Sequence, residues 1–257
     1  MLSYQHAYHA GNLADVHKHA MLAWTVAYLA KKPKPLSYIE THSGRALYDL
    51  AGPEAVKTGE AAQGIGRVEA MFAPDHPYLD ALTTARHLGG PQAYPGSPLI
   101  AHTLLRDGDQ ITLAERHSAE VAALREAMPG TKIRAEDGPT MALSITPPTP
   151  RRGLLLIDPS YEIKSDYTDM PTLLRDIHRK WPVGVLMLWY PVLTNGAQRD
   201  MIRTLDALQI EGAIRHEVSF APARPGHGMI GSGLYVINPP WGWAEAAQDL
   251  SDLFARL

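Results

Sequence analysis

One short segment has the residue types of a site that binds an aromatic amine: Asp158-Pro159-Ser160-Tyr161. It follows the apolar segment 153–157, which predicts a buried strand that ends at the carboxylate. The Asp158 side chain and the Pro159 carbonyl could each accept one N–H of an exocyclic amine and aim its nitrogen at an electrophile. Tyr161 could stack on a base removed from its helix. An ordinary turn after a strand would have the same letters, so the rest of the chain must decide.

A second segment has similar letters: Asn238-Pro239-Pro240-Trp241. Both segments resemble the motif of amino-methyltransferases, Asp or Asn followed by two prolines and an aromatic residue, and the second matches it more closely. It follows the last predicted strand, however, which we interpret as the antiparallel return of a hairpin. The carboxyl end of that strand would point away from a ligand cleft, which lies at the carboxyl ends of the parallel strands. The geometry therefore favours Asp158.

Acidic residues end, or lie beside the end of, the first four predicted parallel strands: Glu40, Glu115, Asp137 and Asp158. Ligands of a doubly wound sheet bind outside the carboxyl ends of its strands, where these carboxylates would lie together. An acid at the end of the second strand commonly accepts hydrogen bonds from ribose hydroxyls, and Glu115 holds that position. Any one of these four acids could instead be an ordinary solvated loop residue. As a set they predict a cofactor that contains a nucleoside.

The turn after the first predicted strand discriminates between nucleoside cofactors. It reads Thr-His-Ser-Gly-Arg-Ala over residues 41–46, with one glycine where a dinucleotide-binding motif places three. A diphosphate needs close approach of the backbone at a helix N-terminus, which one glycine serves poorly. NAD is therefore disfavoured, and S-adenosylmethionine, which has no phosphate, is the expected cofactor.

The first twenty residues carry five basic or titratable side chains with Asp15 as their only acid: His6, His9, His17, Lys18 and His19. We interpret them as a polar, partly cationic surface for RNA or cofactor. A metal site is the alternative, but His17 and His19 are two residues apart on a predicted helix and face different sides. No metal is expected.

The elements that position these residues predict an α/β fold with a mostly parallel, doubly wound sheet. Strands are predicted at 36–40, 110–115, 131–137, within 151–161 and at 183–190. An amphipathic helix is predicted at 12–31, and segments 213–220 and 234–238 predict a C-terminal antiparallel hairpin. Residues 52–95 are expected to form an inserted helical subdomain in a single methyltransferase domain of residues 1–257.

Composition narrows the class of protein. The 257 residues are 45% hydrophobic and have no Cys, which excludes a largely disordered chain, disulfides and thiolate metal sites. A net charge of −3 argues against non-specific binding to polyanions, though not against one local basic patch. The chain has neither an apolar run long enough to span a membrane nor the pattern of a signal peptide, so a cytoplasmic protein is expected.

Seven segments occur in the order and spacing of one known family: MLSYQHAYHAGNLADVHKH, ETHSG, YPGSPLIA, LAERH, RRGLLLIDPSYE, LWYPV and INPPW. Over nearly its whole length the chain resembles the bacterial 23S ribosomal RNA adenine-N6 methyltransferase family known as RlmJ. The resemblance implies a monomeric, Rossmann-like, S-adenosylmethionine-dependent methyltransferase. Its implied substrate is N6 of adenine 2030, in the family's naming, in 23S rRNA that is protein-free or an early precursor.

The resemblance also implies roles for individual residues. Positions that match the family's cofactor-binding residues are His19, His42, Ser97, Glu115, Asp137, Gly138 and Asp158. Asp158 also matches the catalytic position, and Tyr4 matches the substrate-contacting tyrosine. Lys18 is expected to contact RNA or cofactor. The chain departs from the family pattern at Ser160, where a second proline is usual, and at Ala46, where a glycine is usual.

Three alternatives remain open at this point. An adenine-N6 methyltransferase that acts on DNA or on another RNA would need the same amine-binding segment. A relative that binds cofactor or RNA without turnover would be consistent with the departures at Ser160 and Ala46. A metal-dependent hydrolase built on the N-terminal histidines is the third.

Overall fold

A computed structural model describes residues 5–224, 226 and 228–257 of the chain. Its strands are β1 Ser37–Glu40, β2 Leu47–Asp49, β3 Ala93–Pro95, β4 Gln110–Ala114, β5 Lys132–Arg134, β6 Gly153–Ile157, β7 Val185–Leu193, β8 Ile214–Ser219 and β9 Met229–Ile237. Its α-helices are α1 Leu13–Ala30, α2 Pro53–Thr58, α3 Glu60–Gln63, α4 Ile65–Val68, α5 Pro77–Gly89, α6 Ser97–Leu104, α7 Ser118–Ala127, α8 Gly138–Ile145, α9 Asp166–Lys180, α10 Arg199–Ala207 and α11 Trp243–Phe254. Short 3₁₀ helices cover His6–Tyr8 and Glu69–Met71.

The central sheet has seven strands in the order β5-β4-β1-β6-β7-β9-β8. The first five are parallel, and β9 is antiparallel to both of its neighbours. From β1 the chain builds outward through β4 and β5, and then returns to the other side of β1 with β6 and β7. The predicted doubly wound sheet with a C-terminal antiparallel hairpin is confirmed, and its switch point lies between β1 and β6.

Burial on both faces explains the sequences of the two strands at the switch point. Every residue of β1 and of β6 is buried, as expected for central parallel strands covered by helices on both sides. Helix α1 packs against α5, α6 and α11, whereas α9 packs against α8 and α10. A Cβ on Gly153 would lie 2.0 Å from the Ser37 carbonyl oxygen, so only glycine allows β6 to begin this close to β1.

The inserted segment holds more than the predicted helices. Helices α2 to α5 lie between β2 and β3, which pair antiparallel with Tyr48 opposite Tyr94. The sequence analysis missed this two-stranded sheet because three-residue strands carry no readable periodicity. Helix α5 packs against α1 and α6 of the main body. That residues 52–95 form a separate subdomain stays a prediction.

Helix α1 confirms the helix predicted at 12–31, and its N-cap is Asn12, whose side chain accepts a hydrogen bond from the Asp15 N–H. The strand predicted at 131–137 is shorter than expected. Strand β5 ends at Arg134, and Asp137 instead caps α8, a helix that the sequence analysis missed. Within the described ranges, no helix combines the length and the apolar character needed to cross a membrane.

Candidate active site

A cavity of about 680 Å³ lies at the carboxyl ends of β1, β4, β5 and β6. The residues that follow these strands line it, at the edge where a doubly wound sheet binds its ligands. Its volume falls within the usual range of small-molecule sites. This cavity therefore lies at the switch point of the topology.

All seven predicted cofactor-binding residues line this cavity: His19, His42, Ser97, Glu115, Asp137, Gly138 and Asp158. Lys18 lines it as well. Tyr4, the predicted substrate-contacting residue, lies outside the described residues. The structure does not place Tyr161 among the lining residues. The binding roles themselves stay predictions.

Glu115 is fixed by the backbone around it. Its Oε2 accepts a hydrogen bond from the Gly44 N–H at 2.7 Å. Its Oε1 accepts from the N–H groups of Arg116 and His117, each at 2.7 Å. The carboxylate thereby ties the turn after β1 to the loop after β4, and it retains acceptor capacity for further donors.

Asp137 and Gly138 shape the N-terminus of α8. Asp137 Oδ2 accepts from the Thr140 N–H at 3.0 Å and from its hydroxyl at 2.7 Å. Partial burial acts to raise the pKa of Asp137, but the hydrogen bonds from Thr140 outweigh it and lower the pKa below its ordinary value. A Cβ on Gly138 would lie 1.8 Å from the Thr41 carbonyl oxygen. Only glycine therefore lets α8 approach the turn after β1.

Glu40, the fourth strand-end acid, lies behind the cavity rather than on its wall. It is fully buried, its Oε2 accepts from the Tyr38 hydroxyl at 2.8 Å, and its Oε1 is hydrogen-bonded to the Ser97 hydroxyl. Burial raises the pKa of Glu40 to about 8. At neutral pH it is mainly a neutral acid that positions Ser97.

A series of hydrogen bonds and ion pairs connects His6 to Asp158 through Asp15 and Lys18. Lys18 Nζ lies 2.6 Å from Asp158 Oδ2 and 3.0 Å from Asp15 Oδ1. Asp15 Oδ2 in turn accepts from His6 Nε2 and from the Gly11 N–H, both at 2.9 Å. Burial acts to lower the pKa of Lys18, but the two carboxylates raise it above its ordinary value, so Lys18 is a cation.

Three of the five residues of the predicted cationic surface, His17, Lys18 and His19, are buried in α1. His6 and His9 are half-buried and line the cavity. Burial lowers the pKa of His19 to about 3 and that of His42 to about 4, so both imidazoles are neutral at physiological pH. His17 faces away from the cavity, with Nδ1 2.8 Å from the Ser232 hydroxyl. Across the part of the chain that the structure describes, no three His, Cys, Asp or Glu side chains form a group that could hold a metal ion.

Two hydrogen-bond acceptors remain open where β6 ends. Lys18 engages only Oδ2 of Asp158, and no hydrogen bond from the described residues reaches Oδ1 or the carbonyl oxygen of Pro159. The Asp158 side chain keeps 13% of its surface exposed, and both residues line the cavity. The arrangement can therefore receive two donors from one amine.

Comparison with known proteins identifies the family. The model of the family described as "Ribosomal RNA large subunit methyltransferase D, RlmJ" matches residues 33–257. The chain belongs to this family. Ribosomal RNA large subunit methyltransferase J of Escherichia coli is 38% identical over 247 residues, which cover 94% of this chain and 88% of that protein. Its Haemophilus influenzae counterpart is 36% identical over 248 residues, with the same coverage of each chain.

Solved structures agree with the RlmJ assignment. A crystal structure of a Legionella pneumophila protein is 33% identical and superposes with a TM-score of 0.84 over 95% of this chain and 92% of that one. The human methyltransferase 10 domain containing protein is 8% identical with a TM-score of 0.50, over 88% of this chain and 83% of that one, and shares the fold alone. The fold is Rossmann-like, and the human methyltransferase shares it.

The other segment with the amino-methyltransferase letters has a structural role in this RlmJ chain. Asn238 follows β9, the antiparallel strand, as the sequence analysis expected. Its side-chain amide donates to the carbonyl oxygens of Pro182 at 2.9 Å and Gly184 at 2.8 Å, before the start of β7. Because this is the opposite edge of the sheet from Asp158, the segment takes no part in the cavity.

Several cavity residues were given no role from the sequence, among them Asp15, Ser43 and Trp189. Asp15 stood out as the only acid among the first twenty residues, which was an unused signal. Trp189 is the middle residue of β7, directly after the stretch that pairs with β6, and Lys18 Nζ lies 5.4 Å from its ring centroid. The hydroxyl of Ser43 is buried and has no partner among the described residues.

Proposed function

We propose that this chain transfers a methyl group from S-adenosylmethionine to the exocyclic N6 of an adenine, adenine 2030 in the family's naming, in 23S ribosomal RNA. The observation that carries the proposal is the pair of open acceptors, Asp158 Oδ1 and the Pro159 carbonyl oxygen, at the switch point of the sheet. The RlmJ family and the names of its curated members support methyl transfer to large-subunit rRNA.

The cavity fits the cofactor. Eight Asp or Glu side chains line it, Glu115, Asp137 and Asp158 among them, against the two cations of Lys18 and Arg116. This excess of carboxylates favours a cationic ligand such as a sulfonium over a diphosphate. Glu115 is held in place for ribose hydroxyls by its three backbone donors. The unpartnered, buried hydroxyl of Ser43 supplies a further polar contact.

The residues of the chain orient the adenine N6 toward the methyl group. S-adenosylmethionine supplies the methyl group: the N6 lone pair forms the new N–C bond, the C–S bond breaks with its electron pair going to sulfur, and N6 loses one proton along its hydrogen bond to Asp158. Asp158 Oδ1 and the Pro159 carbonyl each accept one N–H and hold the nitrogen in line. Lys18 holds Oδ2, so that Oδ1 is the oxygen presented to the amine.

An adenine must leave its stack to reach these acceptors. Unstacking costs least in a loop or single strand, so we propose protein-free 23S rRNA or an early precursor as substrate, bound by a monomer. The net charge of −3 argues that RNA is held by a local surface and not by a basic coat. Tyr4 and Lys18 remain the proposed substrate contacts.

Labelled S-adenosylmethionine and protein-free 23S rRNA, or its hairpin fragment, test the proposal. We expect methyl incorporation at adenine N6 and a loss on the order of 100-fold or more for Asp158→Ala. Asp107→Ala, which removes an exposed carboxylate far from the cavity, serves as the control. Equal transfer by wild type and Asp158→Ala, or no transfer to rRNA, would contradict the proposal. Competition with DNA and other RNAs identifies the preferred nucleic acid.

A further inference from the structure

The Tyr161 ring faces the protein interior, although the sequence analysis expected it to stack on the target base. Only 8% of the residue is exposed, and it does not line the cavity. Its hydroxyl donates to the Trp189 carbonyl oxygen at 2.8 Å and lies 3.7 Å from the Met201 sulfur. Its ring centroid lies 4.6 Å from that of Tyr167. Both the polar end and the apolar face of Tyr161 are therefore already occupied.

The backbone at Tyr161 adopts a conformation that needs support. Its φ is +56°, in the left-handed region that residues with a Cβ rarely occupy. Ser160, unlike a proline, has no ring that fixes its own φ. At the far end of the turn, the buried hydroxyl of Tyr161 is bound to the Trp189 carbonyl oxygen and stabilises this conformation.

Trp189 contacts one end of this turn directly and the other end through Lys18. Its carbonyl oxygen holds Tyr161, while its indole ring lies 5.4 Å from Lys18 Nζ, the group that binds Asp158. The indole is itself fixed, because its Nε1 donates to the Ser232 hydroxyl at 2.8 Å. One residue of β7 therefore helps to hold both ends of the segment 158–161 in position.

We propose that Tyr161 is a positioning residue, whose hydroxyl sets the turn that presents Asp158 Oδ1 and the Pro159 carbonyl, and that it is not a stacking partner of the base. This inference rests on the proposed function for the identity of the substrate. It makes an unusual demand on the side chain: the hydroxyl matters, and the aromatic face does not contact the adenine.

The substitution Tyr161→Phe separates the two roles because it keeps the ring and removes only the oxygen. With the rRNA fragment as substrate we expect kcat to fall on the order of 10-fold or more while the KM for RNA changes less than about twofold. Tyr167→Phe is the matched control, since it removes a half-buried hydroxyl from the neighbouring ring. A stacking residue would behave in the opposite way: Tyr161→Phe would be as active as wild type, and that result would overturn the inference.

Hydrogen exchange provides a readout that needs no substrate. In full-length Tyr161→Phe, we expect faster exchange of the amides of residues 160–162, with the rest of the sheet unchanged. If wild type methylates no rRNA, the proposed function fails, yet the exchange result still tests the role of the hydroxyl. Wild-type exchange in Tyr161→Phe would overturn the inference, whether or not the enzyme acts on rRNA.

Discussion

Lys18 Nζ lies 2.6 Å from Asp158 Oδ2 and joins the N-terminal helix to the strand end that carries the amine acceptors. Both side chains are largely buried, at 5% and 13% exposure, so their attraction is little screened by solvent. The same ammonium also contacts Asp15. One cation therefore sets the orientation of the proposed catalytic carboxylate and ties it to the chain's first helix.

Lys18→Met should test this bridge, because it keeps the length of the side chain and removes its charge. The variant leaves Asp158 without its cation and Asp15 with only His6 and the Gly11 N–H, so the free energy of unfolding is expected to fall by about 3–5 kcal/mol. Methyl transfer should fall on the order of 100-fold because Asp158 loses its orientation. Thermal unfolding and transfer to the rRNA fragment measure the two effects, and Lys31→Met on the surface end of α1 is the control. Wild-type values for both would refute the bridge.

Glu40→Gln should change how stability depends on pH. The pKa of Glu40 is about 8 in the folded chain against an ordinary value of 4.5, so the folded state binds more protons than the unfolded state between these values. Stability from this group is therefore present below pH 4.5 and is lost as the pH rises to 8. Glutamine does not ionise, so the variant does not lose this stability. Its free energy of unfolding relative to that of wild type should therefore rise by on the order of a few kcal/mol between pH 5 and pH 9. Chemical unfolding of both proteins measures this difference. If the free energies of unfolding of wild type and Glu40→Gln differ by the same amount at pH 5 and at pH 9, the burial of Glu40 has no such effect.

Gly138→Ala should push α8 away from the turn after β1. The new Cβ would clash with the Thr41 carbonyl oxygen, and backbone must move to relieve it. We expect the free energy of unfolding to fall by about 1–3 kcal/mol or more, with weaker binding of S-adenosylhomocysteine. Gly66→Ala is the control, since its Cβ would meet its nearest neighbour, the Ala61 carbonyl oxygen, at 3.3 Å. Denaturant titration measures the free energy of unfolding, and calorimetry measures the affinity for S-adenosylhomocysteine. If both variants match wild type in both measurements, Gly138 is not required for the approach of α8.

Glu115→Gln should weaken cofactor binding more than it weakens the fold. The glutamine amide has one oxygen, so it cannot accept from Gly44 and from the Arg116 and His117 N–H groups together. We expect the Kd for S-adenosylhomocysteine to rise on the order of 10-fold, while the unfolding temperature changes by only a few degrees. Calorimetric titration measures the affinity. An unchanged Kd would remove Glu115 from the cofactor site.

The mostly parallel sheet with its C-terminal antiparallel hairpin was the feature best predicted from the sequence. The apolar segment before Asp158 and the antiparallel return before Asn238 were both readable, because burial and turn residues leave strong local patterns. Together they separated the two segments with amino-methyltransferase letters. The fold class and the cavity edge therefore followed from the sequence.

The contacts within the site depend on long-range geometry that no local pattern records. Most of α1 is buried, so periodicity could not show that Lys18 points to Asp158 while His17 points to Ser232. The inward turn of Tyr161 depends on a single positive φ and on a hydrogen bond to Trp189, 28 residues away. Both required the folded chain.

A crystal structure of the chain with S-adenosylhomocysteine and an adenine nucleotide is the decisive experiment for the proposed role of Asp158. We expect N6 within hydrogen-bond distance of both Asp158 Oδ1 and the Pro159 carbonyl oxygen, with the nitrogen facing the cofactor sulfur. Glu115 should lie beside the ribose hydroxyls of the cofactor. An Asp158 carboxylate that points into solvent, remote from the sulfur and from the adenine amine, would contradict it.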